Sequence, residues 1–394
     1  MRSGLMNRNT IRLNVMGDDG KIINRRGETV NAPDYILMLL VSALTVFGVV
    51  MVFSASYYNS INYTGSPYSY LWSQGFYALT GFGLMMFASI VDYHFIEVLA
   101  KPIGVIGLIL LLLVLTPLGI EAGGATRWLK LGVTIMPGEI AKAVTIIVGA
   151  AYFAEDMIRA KRIKGVAIYI AYTILICFLI YKQPNMSTAI TVFIIAMGVG
   201  FVAGIKWRYI FTLVGAAIAG VVAIALKSDN YLTDRLKGFL NPFENSLDEG
   251  FQASQSLIAF GTGGLTGKGL GQSVQKNLYL PEPQNDFILA IIGEELGYIG
   301  ILILYITFAL VIWRVLRIAI RSRDNFGLLF ASGVAIMIGA QLLLNIAVVT
   351  AIMPPTGIAL PFISAGGNAL WIFMGLIGVV LNISRHTIPV EDNE

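Results

Sequence analysis

Apolar runs of helix length recur along this 394-residue chain almost from end to end. A spanning helix needs roughly 20 such residues, and about ten runs of that kind can be counted. They begin near Tyr35, Leu71, Pro102, Ile140, Gly165, Ser187, Arg208, Phe287, Phe326 and Asn368. Only 13% of the residues are charged, against about 25% in a soluble domain. Lipid is therefore the solvent for most of the chain. The expected fold class is an all-α polytopic membrane protein of about ten transmembrane helices, forming one domain over residues 34–385.

The connections set the expected orientation. "RAKRIKG" (159–165), "IKWR" (205–208) and "RVLRIAIRSRD" (314–324) are short and basic, whereas "SASYYNSINYTGSPYSY" (54–70) has no Lys or Arg. With ten spans the basic loops fall on one side together with both termini, and that side is cytoplasmic. Residues 1–33 open with no apolar core of the signal-peptide kind and are expected to be a cytoplasmic tail, as are residues 386–394. The opposite face receives residues 120–139, 182–187, 353–369 and the loop 227–285 between the seventh and eighth spans. That loop has about sixty residues, a length that usually carries function. Its "FQASQSLIAF" reads as an amphipathic helix lying on the membrane. Cys177, the single cysteine, lies in an apolar run and acts there as a small hydrophobe.

Several polar residues interrupt this pattern where chemistry could occur. Asp286 stands between the polar "LPEPQN" and the apolar run that opens at Phe287. A carboxylate there suits an N-cap, favoured by the helix dipole. It equally suits a general base, since partial desolvation raises a carboxyl pKa toward neutrality. Glu294 and Glu295 follow about 12–13 Å further along; they are expected to be paired inside the bundle or to line a proton or ion path. Arg127 and Lys130 flank Trp128 in "GGATRWLKLG", an arrangement for interfacial anchoring or for a phosphorylated ligand. Glu139 and Lys142, three apart in "MPGEIAKA", form either a helix salt bridge or a pair facing a cavity.

Two segments look irregular. "FGTGGLTGKGLG" (260–271) fails the phosphate-loop spacing, because Thr262 and Gly269 stand where Gly and Ser/Thr are needed. Lys268 and the loop's N–H groups remain candidates to approach an anion. "MPPTGIALPFISAGG" (353–367) mixes helix breakers into apolar sequence and reads as a re-entrant element buried in protein or lining a cavity. Gln341 and Asn345 are expected to make bundle hydrogen bonds. Nothing resembles a zinc site or a Ser-His-Asp set, and His94 and His386 fall on the expected cytoplasmic side.

The motifs "GATRWLKLG", "PGEIAK", "KQPNMSTA", "RLKGFLNPF", "SLIAFGTGGLTGKGLGQS", "LPEPQNDFILAIIGEELGYIG" and "PPTGIALPFISAGG", in this order, resemble the SEDS family (shape, elongation, division and sporulation; FtsW/RodA/SpoVE type). The resemblance implies a peptidoglycan glycosyltransferase of the bacterial plasma membrane. Such an enzyme polymerises lipid II on the outer face and works beside a class B penicillin-binding protein and other divisome or elongasome proteins. By that likeness Asp286 matches the essential acid, Arg127 and Trp128 the first periplasmic motif, and Glu139 with Lys142 the cavity pair. Two positions depart from the family pattern: "QPD" reads "QPN" with Asn185, and "FISYGG" reads "FISAGG" with Ala365.

The expected chemistry then has Asp286 take the proton of the acceptor sugar's 4-hydroxyl as it attacks the donor's anomeric carbon, releasing undecaprenyl diphosphate. Arg127, Lys130, Lys142, Lys268 and Lys276 are the candidates to meet the phosphate charge. A divalent cation (Mg²⁺ or Mn²⁺) is the one cofactor candidate, with no ligand cage legible, and no organic cofactor is expected. A flippase for the same lipid is the rival, favoured by Glu294, Glu295 and the broken helices, and disfavoured by the lack of an inverted repeat. A noncatalytic scaffold is a third.

Overall fold

The computed structural model describes residues 31–122, 125–227, 242–243, 250–355 and 357–387, with two short paired strands at Val15–Met16 (β1) and Ile22–Ile23 (β2). The rest of both expected tails, most of "RLKGFLNPF" and residues 228–241 and 244–249 of the long loop lie outside them. Helices account for most of what is described. They are α1 (Tyr35–Thr64), α2 (Ser69–Ile90), α3 (His94–Val98), α4 (Ala100–Val114), α5 (Pro137–Glu155), α6 (Ile163–Tyr181) and α7 (Met186–Val202). There follow α8 (Trp207–Lys227), α9 (Phe251–Gly263), α10 (Ile288–Ile320), α11 (Asn325–Val349) and α12 (Gly367–Arg385). The apolar runs thus become helices that start within a few residues of the expected positions. Six are long and apolar enough to cross a membrane, and α4 and α7 are shorter apolar helices.

The starts have local causes. Asp34 accepts a hydrogen bond from the Leu37 amide to open α1, Asn185 does the same for Thr188 in α7, and Asp324 for Gly327 in α11. Pro137 occupies the first turn of α5, where its missing N–H is no loss. Helix α11 is the central post. It packs on α5, α7, α9, α10 and α12, and 72% of its most apolar window is buried. Helices α2 and α12 make the most extensive helix–helix contact.

Beyond the β1–β2 pair, one part departs from the all-helical expectation. Gly119–Ala122 (β3), Ala125–Leu131 (β4) and Val133–Ile135 (β5) form an antiparallel sheet, with Trp128 opposite Ile120. The alternation of "TRWLKL" carries the period of two that strands require.

Helix α10 is not continuous either. At Gly297 the backbone turns to φ 67°, ψ −168°, a region open in practice only to glycine. The groups freed by the break are met by the glycine-rich turn after α9. Lys268 and Gly269 amides donate to the Glu294 and Glu295 carbonyls (both 2.9 Å), and Tyr298 and Ile299 amides donate to Gly264 and Leu265 carbonyls (3.0 and 3.1 Å). Contact is so close that a Cβ at Gly297 would lie 2.3 Å from the Gly267 nitrogen. What the sequence presents as one span is a fully packed short segment, residues 288–296, followed by a long helix.

The segment between α11 and α12 is irregular, as expected, and Ile358, Leu360, Phe362 and Ile363 in it are buried. Helix α1 passes it flush at Gly48, where a Cβ would lie 2.7 Å from the Ile363 Cα. The bundle has two distinct ends. At one, His94 lies 3.4 Å from Asp324, Asp34 pairs with Arg314, and Asn31 N–H donates to the Arg385 carbonyl. At the other, the connections 63–77, 127–142, 185–191, 285–286 and 357–371 surround a cavity.

Candidate active site

The cavity has a volume of about 710 Å³ and is lined by Arg127, Trp128, Glu139, Lys142, Asn185 and Asp286, among others. Five of the eight residues proposed from sequence therefore meet here, drawn from β4, α5 and the turn before α10.

Asp286 is half-buried and directly precedes Phe287, the cap position of α10. Its carboxylate faces the segment 357–367: a Cβ on Gly357 would stand 3.3 Å from Asp286 Oδ2. Gly357 has φ +72°, so the glycine serves both the turn and the close approach. The turn holding the acid is clasped from several directions. Asn345 Nδ2 donates to the Asp286 carbonyl (2.9 Å) and the Ile358 carbonyl (2.7 Å). Ser364 Oγ donates to the Asn285 carbonyl (2.7 Å), and the Ala365 amide to the Gln284 carbonyl (2.9 Å). Asn59 Nδ2 holds the Gln284 side chain from α1 (3.1 Å). These bonds hold the turn through its backbone.

Glu139 and Lys142 pair at 2.7 Å, with side chains 13% and 5% exposed. Glu139 sits in the first turn of α5, where the helix dipole favours a carboxylate. Its Oε2 is buried without a hydrogen-bond partner. Asn185, across the α5–α7 contact, caps α7 with Oδ1 while its buried Nδ2 has no partner. A buried polar atom without a partner costs about 1–3 kcal/mol, and both atoms belong to residues of the cavity lining. Arg127 crosses from β4 to hydrogen-bond the carbonyl of Pro184, tying the sheet to the start of α7.

Three proposed residues are not brought here. Lys130 is exposed on β4 and outside the cavity lining. Lys268 and Lys276 are engaged elsewhere. Lys268 Nζ pairs with Glu294 Oε1 at 2.6 Å, and Lys276 Nζ with Glu295 Oε1 at 2.8 Å. Both carboxylates are fully buried and also accept from Ser273 Oγ, Ser54 Oγ and the Val274 and Gln275 amides. Buried anions require cations and donors, and the glycine loop with its lysines supplies them. The anion that this loop approaches is the protein's own acid pair. Asn345 makes the bundle bonds expected of it, while Gln341 Nε2 is buried without a partner.

Sequence reasoning missed the α2 wall. Tyr70, Gln74 and Tyr77 line the cavity at helical spacing, and Gln74 bonds Ser364 and Gly366 of the irregular segment (3.4 and 3.3 Å). The 70, 74, 77 period was the available signal. Among the described residues no three of His, Cys, Asp and Glu gather as a metal cage.

The chain matches the family model described as cell cycle protein, FtsW/RodA/SpoVE, over residues 34–388. A probable peptidoglycan glycosyltransferase FtsW of Geobacter sulfurreducens is 38% identical over 357 residues, covering 89% of this chain and 95% of that protein. Stage V sporulation protein E of Bacillus subtilis is 36% identical over 364 residues, 90% of this chain and 98% of that one. In structure the chain is similar to the rod shape determining protein RodA of Thermus thermophilus, with TM-score 0.67, 26% identity, and coverage of 91% and 98%. It is also similar to a chain of a peptidoglycan synthase complex, solved for how polymerization and crosslinking are coordinated, with TM-score 0.75, 26% identity, and coverage of 90% and 98%. With five of its candidate residues gathered around one cavity and its length matched almost throughout, this chain belongs to the FtsW/RodA/SpoVE family of cell cycle proteins.

Proposed function

We propose that the chain is a peptidoglycan glycosyltransferase that joins lipid II disaccharides in the cavity, with Asp286 as general base. The observation that carries this reading is a half-buried carboxylate clasped through its backbone at the wall of a cavity that also holds a buried Glu–Lys pair. Asp286 accepts the proton of the acceptor's 4-hydroxyl while that oxygen bonds to the donor's anomeric carbon. The anomeric C–O bond to the diphosphate breaks, and undecaprenyl diphosphate departs. General base catalysis of this kind contributes roughly 10²–10⁴-fold.

Charge on the departing diphosphate falls to Arg127 and Lys142, the cations of the cavity lining. A divalent cation fits here only when shared with substrate, since Mg²⁺ is commonly held by one or two carboxylates plus phosphates and water. Asp286 and Glu139 are the carboxylates that line the cavity, and Glu139 Oε2 is buried without a hydrogen-bond partner. Such an ion would neutralise the leaving diphosphate.

In this reading the protein crosses the bacterial plasma membrane ten times, with the cavity outside and both termini in the cytoplasm. Support comes from the two ends of the bundle: the basic stretch 314–323 lies at the end remote from Asp286. The partner would be a class B penicillin-binding protein, a reading supported by the likeness to a chain of a peptidoglycan synthase complex. Purified protein with fluorescent lipid II tests the function. Polymer with stoichiometric undecaprenyl diphosphate is expected, whereas lipid translocation in liposomes without polymer would favour the transporter.

A further inference from the structure

We propose that the pocket at the end of the bundle remote from Asp286 binds the phosphate headgroup of an anionic phospholipid, with Arg317 and Arg321 as its ligands. This pocket, of about 440 Å³, forms where the start of α1 meets the last turns of α10 and α12. Arg314, Arg317 and Arg321 all line it, spaced so that one face of α10 carries all three. The acid lining it is Asp34, and its oxygens are committed. Oδ2 accepts from Arg314 (2.6 and 3.0 Å), and Oδ1 accepts from the Leu37 amide (2.9 Å). Among the described residues Arg317 and Arg321 have no carboxylate in ion-pair range, and both are half-buried.

Cations at a helix C-terminus are favoured by the dipole, which amounts to about half a charge. That explains one arginine of this face. It does not explain two further guanidinium groups held a turn apart, which repel each other, in a pocket rather than spread in water. An arginine fork matches phosphate oxygens in geometry and charge, and Ser384 and Thr387 complete a polar floor.

The flank of the pocket decides between a lipid and a free anion. Ile36 and Leu39 on α1, and Leu310 and Trp313 on α10, are exposed apolar side chains on two helices that share a seam. The Trp313 ring lies 5.8 Å from the Arg314 guanidinium and 5.5 Å from that of Arg317, an interfacial aromatic beside the charges. A soluble phosphate would use the arginines alone. A lipid would use the arginines and the apolar seam together. Basic pockets between helix ends at a membrane surface take anionic headgroups for this reason. The residues beyond α10 that approach the pocket are already neutralised or neutral, so nothing else within the described chain meets this charge.

Native mass spectrometry of the full chain in detergent, titrated with phosphatidylglycerol and with phosphatidylcholine of the same acyl chains, tests the assignment. The wild type should retain phosphatidylglycerol about tenfold more tightly or better. The double variant Arg317→Gln/Arg321→Gln should bind the two lipids alike, whereas Lys101→Gln/Arg162→Gln, at exposed basic positions, should keep the preference. Each single variant should give an intermediate ratio, which preserves the test should the double variant not fold. Equal retention of both lipids by the wild type, or a preference that survives in the double variant, overturns the proposal. Full displacement of phosphatidylglycerol by millimolar inorganic phosphate overturns it too, since the ligand would then be a soluble anion.

Discussion

Asn345 Nδ2 lies 2.9 Å from the main-chain oxygen of Asp286, and the same nitrogen reaches Ile358 at 2.7 Å. One buried amide on the central helix therefore sets the position of the proposed base relative to the irregular segment that faces it. Asn345→Ala should leave the carboxylate intact but strand two carbonyls, at about 1–3 kcal/mol for such a buried group. Misplacement of a catalytic group by an ångström can cost about 10²-fold. Expected outcome: kcat falls one to two orders of magnitude with KM for lipid II little changed, measured by continuous polymerisation assay.

Lys276 is expected to matter for stability rather than for substrate. Its ammonium neutralises Glu295, and both side chains are at most 5% exposed. Removing one partner of such a pair costs about 3–5 kcal/mol. Lys276→Met should lower the thermal midpoint in detergent sharply, and Lys276→Met/Glu295→Gln should recover much of it. A raised KM for lipid II with no thermal change would return Lys276 to the substrate site.

Gly297 permits the break in α10. Alanine there must adopt φ 67° with its Cβ 2.3 Å from the Gly267 nitrogen. Backbone strain of this kind costs on the order of 1–3 kcal/mol before the clash is counted. Gly297→Ala should reduce the yield of folded protein, and proteolysis should reveal the 263–276 turn detached from α10.

The His94 cluster gives a pH dependence. Burial opposes charge on this ring, but hydrogen bonds to Asp324 and Asp92 outweigh it and hold the pKa near 9 against an ordinary 6.5. A group whose pKa is raised by folding stabilises the folded state while protonated. Its contribution is full below about 6.5 and is lost as pH rises through about 9. Asp92 is 66% exposed, so solvent screens its share and Asp324 carries most of the effect. The difference in thermal midpoint between wild type and His94→Gln should shrink steadily across that window.

The helix starts were legible because bilayer thickness and polar punctuation act locally. So were Asp286, Glu139 and Lys142 as candidates, since each is a charge placed at the edge of an apolar run. Legibility failed where a contact between distant segments decides. The break at Gly297 lies inside a single helix-length run, and only the glycine turn thirty residues upstream compensates it. Lys268 and Lys276 look like substrate ligands from their place in an outer loop. Yet the buried Glu294 and Glu295 needed cations, and the two problems were each other's solution. The sheet at 119–135 was short enough that its alternation passed for a loop.

The central claim is that the Asp286 carboxylate removes the acceptor proton. Asp286→Asn preserves the side chain's shape, while the clasp acts on the backbone and stays in place. In single-turnover assays with fluorescent lipid II, this variant should bind substrate as the wild type does and polymerise about 10²–10⁴-fold more slowly. Polymerisation by Asp286→Asn at the wild-type rate would contradict the account.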